Sequence, residues 1–397
     1  MLVEQRQELL LRELRASGAV RVAELAARFG VSAGTIRRDL AELAELGRLT
    51  KVRGGAILAG PRDEPSATAG QPGRPTPPAE PPAAAPTPEP PPTPAAPAAE
   101  RTIGLLVPSA TYYYPSVVAG VRSVAGRRNT RIVIGLTQYD SPRDIQQIDE
   151  LCATGAAGLL IASTGGHHLP APTLERLRAT GLPFVLLERR PEDPYEPCEF
   201  VVSDHRLGAF NALRQLHGLG HRSVGLYLNE TPTAPLIREG YQHAVERLGL
   251  DPGAPAINGG RPSPDARGAD RRYDAFIDAL LANGTRAALV HSDYDAIELL
   301  QRLRARGVHT PSEMALIAYD DEIASLAEVP LTAVAPAKRL LGEVAAQLLL
   351  DRMDTPPDAG PLATRHVVLH PRLTIRDSCG SRPPAQPAGQ LSGGADA

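Results

Sequence analysis

The sequence has few of the residues that build disulfide frameworks, metal centres or membrane spans. It contains three cysteines, an odd number without metal-ligand spacing, and these thiols fit a reducing compartment. No run of about twenty apolar residues occurs, so the sequence predicts no transmembrane helix. The first residues have a charged helical pattern instead of the apolar core of a secretory leader. Together these absences predict a cytoplasmic protein.

The overall charge of the chain is nearly balanced. The 397 residues carry a formal net charge of −3, so the chain as a whole does not have the composition of a nucleic-acid coat. Any basic surface must therefore be local. Residues 1–60 contain ten Arg and Lys against seven Asp and Glu, a local excess of the sign that DNA binding requires.

Composition divides the chain into four segments. Residues 1–60 have dense helical patterning. Residues 61–100 contain fifteen prolines and no Leu, Ile, Val or aromatic residue, which predicts a disordered, semi-extended linker. Residues 101–380 alternate strand-like and helix-like segments, and residues 381–397 form a polar tail that we also predict to be disordered.

The alternating region contains two series of short apolar runs. They lie at 103–107, 132–136, 158–162 and 184–187 in the first series, and at 200–202, 224–227, 287–290 and 314–319 in the second. Continuous apolar strands between helices indicate parallel sheets that are covered on both faces. The sequence therefore predicts an α/β fold with two lobes of doubly wound parallel sheets, and a ligand site in the cleft between the lobes.

A helix that begins after Ser32 has the features of a DNA recognition helix. Ser32 is suited to cap its N-terminus. Apolar side chains recur at i, i+4 and i+7, which predicts one buried stripe: Ile36, Leu40 and Leu43. Arg38 lies almost opposite this stripe, and Thr35 and Arg37 flank it. A helix with an apolar back and a basic front is suited to the major groove.

The segment L-T-K-V-R-G-G-A-I-L predicts a hairpin directly after this helix. Its turn falls at the two adjacent glycines, Gly54 and Gly55. Lys51 and Arg53 would then lie on a wing close to the DNA phosphates.

The N-terminal segment resembles the DNA-binding domain of DeoR-type regulators. The matching residues are V-A-E-L-A-A-R-F-G-V-S-A-G-T-I-R-R-D-L-A-E-L, followed by R-G-G-A. The resemblance implies a winged helix-turn-helix that contacts double-stranded DNA. Arg53 departs from the family, which usually has His before the two glycines. The alternative for the basic side chains is a solvated helix face, with Arg37 paired to Asp39 or Glu42.

Residues 101–380 resemble the effector domain of the lac-repressor family, which is itself similar to periplasmic sugar-binding proteins. The matching stretches include I-G-L-L-V-P, G-A-A-G-L-L-I-A-S, L-G-H-R-S-V-G-L and R-A-R-G-V-H-T-P-S-E-M-A-L-I-A-Y-D-D. The resemblance implies a first lobe near 101–203 with a helix near 336–353, and a second lobe near 204–320 with the final strand. It also implies a sugar-like effector and a homodimer that pairs through this domain.

The same resemblance suggests effector contacts by matched position: Tyr113, Tyr114, Arg189, Ser292, Asp293 and Asp320. Tyrosine offers a flat face and a hydroxyl, and a carboxylate accepts hydrogen bonds from neighbouring sugar hydroxyls. Structural alternatives stand beside these roles: helix capping for Ser292 and Asp293, a surface charge for Arg189, lid packing for Tyr113 and a turn for Asp320.

One contact of the family is displaced in this sequence. The family usually has an arginine three residues before the glycine of an R-x-x-G-Y pattern, but here Ile237 stands three residues before Gly240. Arg238 comes one position later. Either a shifted helix register brings Arg238 to the effector, or this charge contact is lost.

No catalytic constellation occurs in the sequence. Glu188 and Arg189 could suggest an enzyme, but neither a Ser/His/Asp order with a G-x-S-x-G elbow nor a G-x-G-x-x-G turn after a strand is present. The pair His167-His168 lies in a Gly-rich loop without further metal-ligand spacing. We therefore expect no enzymatic activity, no cofactor and no metal.

These observations predict a ligand-responsive transcription regulator. We expect it to bind an operator in double-stranded DNA and a small polar effector such as a sugar, and to act as a repressor in preference to an activator. The alternative is a solute-binding receptor for sugar uptake, against which the N-terminal DNA-binding pattern argues.

Overall fold

A computed structural model describes residues 19–21, 25, 33–45, 49–52, 55–58, 101–139, 143–260, 269–356, 360 and 363–381. The chain divides into two compact units, residues 1–98 and residues 99–397. Each unit is described by itself below. Among the residues within these ranges, no helix is long and apolar enough to cross a membrane.

The first unit contains one described helix and a small antiparallel sheet. Its elements are β1 (Ala19–Arg21), α1 (Ala33–Glu45), β2 (Leu49–Val52) and β3 (Gly55–Leu58). The strands lie in the order β1-β3-β2, and β2 and β3 form the hairpin that the sequence predicts, with Val52 paired to Gly55. The predicted stripe of α1 is buried: Ile36, Leu40 and Leu43. The prediction of an amphipathic helix followed by a hairpin is therefore confirmed.

The second unit begins with a six-stranded sheet in which all strands are parallel, in the order β14-β8-β7-β6-β4-β5. Its strands are β4 (Arg101–Val107), β5 (Thr130–Leu136), β6 (Leu159–Ile161), β7 (Phe184–Leu187), β8 (Glu199–Ser203) and β14 (His366–Leu369). The helices of this first lobe are α2 (Tyr114–Arg127), α3 (Arg143–Ala153), α4 (Ala171–Ala179) and α9 (Lys338–Asp354). Buried apolar clusters cover both faces of the sheet, as parallel sheets require.

The second lobe contains a second six-stranded sheet, in the order β10-β9-β11-β12-β13-β15. Its strands are β9 (Gly225–Asn229), β10 (Ala256–Gly260), β11 (Ala287–His291), β12 (Ala315–Tyr319), β13 (Thr332–Ala335) and β15 (Arg372–Thr374). The strand β15 runs antiparallel to β13, and the other pairings are parallel. Its helices are α5 (His205–Gly218), α6 (Ala234–Leu248), α7 (Ala269–Asn283) and α8 (Asp293–Ala305).

The predicted class of fold, two doubly wound α/β lobes, is confirmed, but the pattern of apolar runs misplaces one strand. The run at 200–202 was grouped with the second series, whereas it lies in β8 of the first sheet. A short apolar run has the same composition in either sheet, so periodicity alone does not assign it. The chain leaves the first sheet only after Ser203, where β8 ends.

Helix α9 follows the last parallel strand of the second lobe and packs back onto the first lobe. Gly120 of α2 and Gly342 of α9 allow this close approach. A Cβ atom at Gly120 would lie 2.0 Å from the carbonyl oxygen of Arg339, and one at Gly342 would lie 2.1 Å from that of Val117. Both helices thereby cover the same face of the first sheet, where Leu341 is fully buried.

Both sheets have the strand order of doubly wound folds, with one point at which the order reverses. In the first sheet this point lies between β4 and β6, and in the second it lies between β9 and β11. Ligands of such sheets bind outside the carboxyl ends of the strands at these points. The loops after β4 and β11 are therefore the places to look for a site.

Candidate functional site

The loops at the two reversal points meet between the lobes. Tyr112 follows β4 in the first lobe, and Asp293 follows β11 in the second. The Tyr112 hydroxyl donates a hydrogen bond to Oδ1 of Asp293 at 2.6 Å, and its ring packs against Tyr294 with centroids 5.2 Å apart. The cleft therefore joins residues that are 181 positions apart in the chain. Sequence reasoning named the two tyrosines that follow, and not Tyr112.

Tyr113 and Tyr114, both predicted effector contacts, occupy different environments. The Tyr113 hydroxyl donates to Oε1 of Glu188 at 2.5 Å, and the ammonium of Lys338 lies 5.0 Å from the centre of its ring. Tyr114 is buried in the apolar core of the first lobe. Burial raises the pKa of both phenols, so both remain neutral hydrogen-bond donors. The structure thus places Tyr113 in the cleft and Tyr114 behind it.

Glu188 also lies at the carboxyl edge of the first sheet, and the sequence suggests it only as a candidate catalytic residue. It has a left-handed backbone (φ 53°) directly after β7 and is buried. The amide and hydroxyl of Ser203 donate to its carboxylate at 2.9 and 2.7 Å, and Nε2 of His205 lies 3.5 Å from its Oε2. Burial acts to raise the pKa of Glu188, but hydrogen bonding and charge from His205, with the Ser203 amide and Tyr113, outweigh it and lower the pKa to about 2. The carboxylate is therefore charged.

Arg189, a predicted effector contact, is buried beside this carboxylate and is only 1% exposed. Its Nε donates to the carbonyl of Ser163 at 2.8 Å, and one terminal nitrogen donates to the carbonyl of Glu188 at 2.8 Å. The alternative of a surface arginine is wrong, because this guanidinium ties the end of β6 to the end of β7. Contact between Arg189 and an effector stays a prediction.

Asp293 is fully buried and does more than begin α8. Its Oδ2 accepts hydrogen bonds from the backbone amides of Glu322, Ile323 and Ala324, at 2.7, 2.7 and 3.1 Å. Burial raises the pKa of Asp293, although these amides and the Tyr112 hydroxyl oppose the rise. The carboxylate therefore fixes the loop that follows Asp320.

Ser292 has the capping position that the structural alternative gave it. Its amide and its hydroxyl both donate to Oδ2 of Asp295 at 2.8 Å, which forms a box at the start of α8. Asp295 also accepts from Nδ2 of Asn229 and from the hydroxyl of Tyr273, each at 2.7 Å. This arrangement stabilises the helix end; an effector contact from Ser292 stays a prediction.

Asp320 lies at the lobe interface, directly after β12. Its backbone has a left-handed conformation (φ 87°), and its carboxylate is buried with Oδ2 3.8 Å from Nε2 of His291. Lys338 at the start of α9 donates to the carbonyl of Asp320 and to the carboxylate of Glu322. Burial lowers the pKa of His291, against the opposing charge of Asp320. Asp320 is thus both a turn residue and a buried carboxylate of the cleft.

Arg238 lies on an exposed part of α6. Ile237, which occupies the position of the family arginine, is fully buried in the core of the second lobe. The neighbouring Leu236 lines a cavity at the lobe interface, and Arg238 does not line it. Among the described residues, none makes a contact that would bring Arg238 to the cleft.

The cavity beside this cluster opens between the ends of β6, β7 and β8 and the first turns of α5 and α6. Most of the residues that line it carry polar or charged side chains: His167, His168, Glu188, Arg190, Val202, Ser203, Asp204, Arg206 and Leu236. Within the described ranges no three His, Cys, Asp or Glu side chains are placed to hold a metal ion.

The predicted DNA contacts are described only in part. On α1, Arg38 is exposed, Thr35 is half-buried and Asp39 is buried. Arg37 belongs to α1 and Lys51 to β2, but their side chains lie outside what is described, as do Ser32 and Arg53 entirely. The exposed Arg38 opposite the buried stripe agrees with the predicted basic front.

Comparison with known protein families divides the chain in the same way as the fold. Residues 6–62 match the DeoR-like helix-turn-helix domain. Residues 100–260 match the periplasmic binding proteins and sugar-binding domain of the LacI family, and residues 213–379 match the periplasmic binding protein-like domain. The matches thus join a helix-turn-helix domain to a periplasmic-binding-protein-like domain.

Curated relatives include proteins named as transcription repressors. The ribose operon repressor of Escherichia coli is 29% identical over 288 residues, which cover 70% of this chain and 82% of that protein. The arabinose metabolism transcriptional repressor of Halalkalibacterium halodurans is 22% identical over 364 residues, covering 89% of this chain and 88% of that protein. These names support a DNA-binding repressor over a receptor for solute uptake.

Solved structures support the fold of the LacI-type domain. A LacI family transcriptional regulator from Enterococcus faecium with bound ribose has a TM-score of 0.58 and 22% identity, and the match covers 70% of this chain and 98% of that one. At this identity the likeness concerns the fold. The fold predicted from the alternating apolar runs and the matched stretches is thereby confirmed.

Proposed function

We propose that this protein is a sequence-specific transcription repressor that a small polar effector, such as a sugar, controls by binding between the two lobes. The observation that carries the proposal is the meeting of Tyr112 and Asp293. A hydrogen bond between the loops at the two reversal points makes the cleft a place where a bound molecule contacts both lobes at once. A molecule that contacts both lobes favours one relative arrangement of the lobes over another.

The next part of the proposal concerns the DNA-binding domain and its contacts with the operator. We infer a DeoR-type winged helix-turn-helix DNA-binding domain within residues 1–60. Residues 61–100 join it to the effector domain in residues 101–380. Arg38, with Thr35 and Arg37, would contact the major groove, and the wing would contact phosphate. The repressor would act in the cytoplasm as a homodimer, because paired readers match two half-sites of an operator.

The effector end would use the polar groups that face the cleft. Tyr113, Glu188 and Asp320 supply one hydroxyl and two carboxylates, which together suit the vicinal hydroxyls of a sugar. The relatives named for ribose and arabinose metabolism favour this class of effector. A linker of forty residues transmits orientation poorly, but it sets the effective concentration of the two DNA-binding domains. Coupling between effector binding and DNA binding would therefore depend on how the paired effector domains hold the two DNA-binding domains together.

Selection of duplexes from a random pool by the full-length protein tests the DNA function. We expect enrichment of a palindromic sequence, and a fall in its affinity when one member of a panel of neutral sugars, sugar acids and sugar phosphates is added. Arg38→Ala is the matched variant, because it should weaken enrichment while the effector domain stays folded. A pool without enrichment after selection would contradict the proposal.

A further inference from the structure

The cavity between the lobes is lined by a half-buried arginine, Arg190. Two hydrogen bonds fix the backbone of Arg190. Its amide donates to the carbonyl of His167 at 3.1 Å, and its carbonyl accepts from the amide of Leu169 at 2.8 Å. Its guanidinium lies over the ring of Phe200, 5.2 Å from the centroid. Among the residues that the structure describes, no carboxylate forms an ion pair with Arg190, although it is half-buried.

The two carboxylates that line the same cavity are engaged elsewhere. Glu188 accepts hydrogen bonds from Tyr113 and Ser203 and lies beside His205. Asp204 is the N-cap of α5, and its Oδ1 accepts from the amide of Leu207 at 3.0 Å. Each carboxylate therefore already accepts a hydrogen bond from another partner, although both are close enough to act on the charge of Arg190.

Further donors surround Arg190. Arg206 also lines the cavity, and its Nε donates to the carboxylate of Glu239. The rings of His167 and His168 lie 4.0 Å apart at the cavity wall. Burial lowers the pKa of Arg190, and the charge of Arg206 lowers it further, against the opposing charges of Asp204 and Glu188.

We infer that this cavity binds an anionic group of the effector, a carboxylate or a phosphoryl group, and that Arg190 is its principal contact. The inference rests on the proposed function and narrows the effector from a polar molecule to an acidic one, such as a sugar acid or a sugar phosphate. A planar guanidinium donates two parallel hydrogen bonds to either group. Arg206 and the two histidines add donors around the remaining oxygens.

The test is calorimetric titration of the full-length protein with inorganic phosphate and, separately, with acetate, at constant ionic strength in chloride. We expect saturable binding of at least one of the two, with a dissociation constant near about 1 mM for so small an ion. Tighter binding of phosphate would assign a phosphoryl group, and tighter binding of acetate would assign a carboxylate.

Matched variants locate the binding. Arg190→Gln should weaken it about tenfold or more, since a hydrogen bond to a charged group is lost, and Arg190→Lys should retain part of it. Arg131→Gln removes an exposed arginine of the edge strand β5 and should leave the affinity unchanged. Arg38→Gln should also leave it unchanged, which separates the cavity from the basic residues of the DNA reader.

Two results would overturn the inference. One is the absence of saturable binding of either anion, and the other is an equal dissociation constant in Arg190→Gln and the parent. Operator selection with the same preparation distinguishes this failure from failure of the proposed function. If a neutral sugar releases the operator and neither anion binds, the proposed function stands and only the acidic class of effector is excluded.

Discussion

The hydroxyl of Tyr112 donates a hydrogen bond to Oδ1 of Asp293 at 2.6 Å and so connects the two lobes across the cleft. Tyr112 has a left-handed backbone (φ 61°), which turns its side chain away from the following helix and toward the second lobe. Asp293 keeps three further donors in the loop after β12, at Glu322, Ile323 and Ala324. Loss of the tyrosine hydroxyl would therefore loosen the lobes without freeing the carboxylate.

Tyr112→Phe should shift the protein toward a more open arrangement of the lobes. One hydrogen bond to a charged group is removed, at a cost of about 1.5–3 kcal/mol. We expect a larger radius of gyration by small-angle scattering and faster proteolysis at the lobe junction. Tyr195→Phe, at an exposed position of the first lobe, is the matched control and should behave as the parent. Identical scattering of Tyr112→Phe and the parent would show that this bond does not hold the lobes.

Glu188 should contribute a pH-dependent part of the stability of the first lobe. Its pKa is lowered to about 2 from an ordinary value of 4.5, so its charged form is favoured in the folded state. That contribution is complete above about pH 4.5 and disappears as the pH falls toward 2. Glu188→Gln should therefore reduce the urea midpoint at pH 7 and differ progressively less from the parent as the pH falls from 4.5.

The control for this prediction is Glu192→Gln, which changes an exposed carboxylate of the same lobe. We expect its urea midpoint to follow the parent at each pH. A constant difference between Glu188→Gln and the parent from pH 7 down to about pH 2 would instead indicate a loss of shape complementarity, and not of charge.

Sequence reasoning located the edge of the site better than the direction of each side chain. Parallel strands end at a common edge, so residues after buried runs predict cleft positions, and Tyr113, Asp293 and Asp320 do lie there. Glu188 was passed over because its partners, Ser203 and His205, come from the next strand and the helix after it. No local sequence pattern predicts that these three residues contact one another.

Arg189 and Lys338 show what the sequence could not supply. The sequence predicts Arg189 as an effector contact with a surface charge as the alternative, but it is buried and its Nε donates to the carbonyl of Ser163. Lys338 begins a helix that packs on the first lobe, yet its ammonium reaches the carbonyl of Asp320 in the second. Both directions depend on tertiary contacts between distant segments, which composition and periodicity do not encode.

The full-length protein should sediment as a dimer at micromolar concentration. One small DNA-binding domain buries little DNA surface by itself. Tight binding to a specific operator therefore requires two such domains on two half-sites. We expect the dimer to persist at a salt concentration that releases DNA, because pairing through the effector domain does not depend on the operator. A monomer in sedimentation velocity, at a concentration that binds operator, would contradict this prediction.

Arg38 and Lys51 should affect DNA binding in different ways. Arg38→Ala should lower affinity for the selected operator by about 1–3 kcal/mol if the side chain reads a base edge, and reduce discrimination against other sequences. Lys51→Ala should weaken all sequences alike and reduce the salt slope by about one unit, as for a phosphate contact. Titrations of operator and scrambled duplexes over a salt series measure both. Unchanged operator affinity in Arg38→Ala, with the helical content intact, would remove α1 from the interface.

Asp320 should be the carboxylate of the cleft whose loss most weakens effector binding. It follows β12 at the lobe interface, and among the described residues the nearest ion-pair partner of its carboxylate is His291 at 3.8 Å, so its oxygens remain available to ligand donors. Asp320→Asn is the variant of choice, because asparagine tolerates the positive φ of 87° that alanine would strain. Removing the charge from a largely dry site should weaken binding about tenfold or more.

Calorimetry with the effector identified by operator release measures this loss, and thermal unfolding separates it from a structural role. We expect the melting temperature of Asp320→Asn to stay near that of the parent, since the amide preserves the turn. Asp278→Asn, at an exposed carboxylate of α7 in the same lobe, should leave both quantities unchanged. If Asp320→Asn binds the effector as tightly as the parent, then the site does not include the end of β12. A lowered melting temperature with unchanged affinity would assign Asp320 to the turn alone.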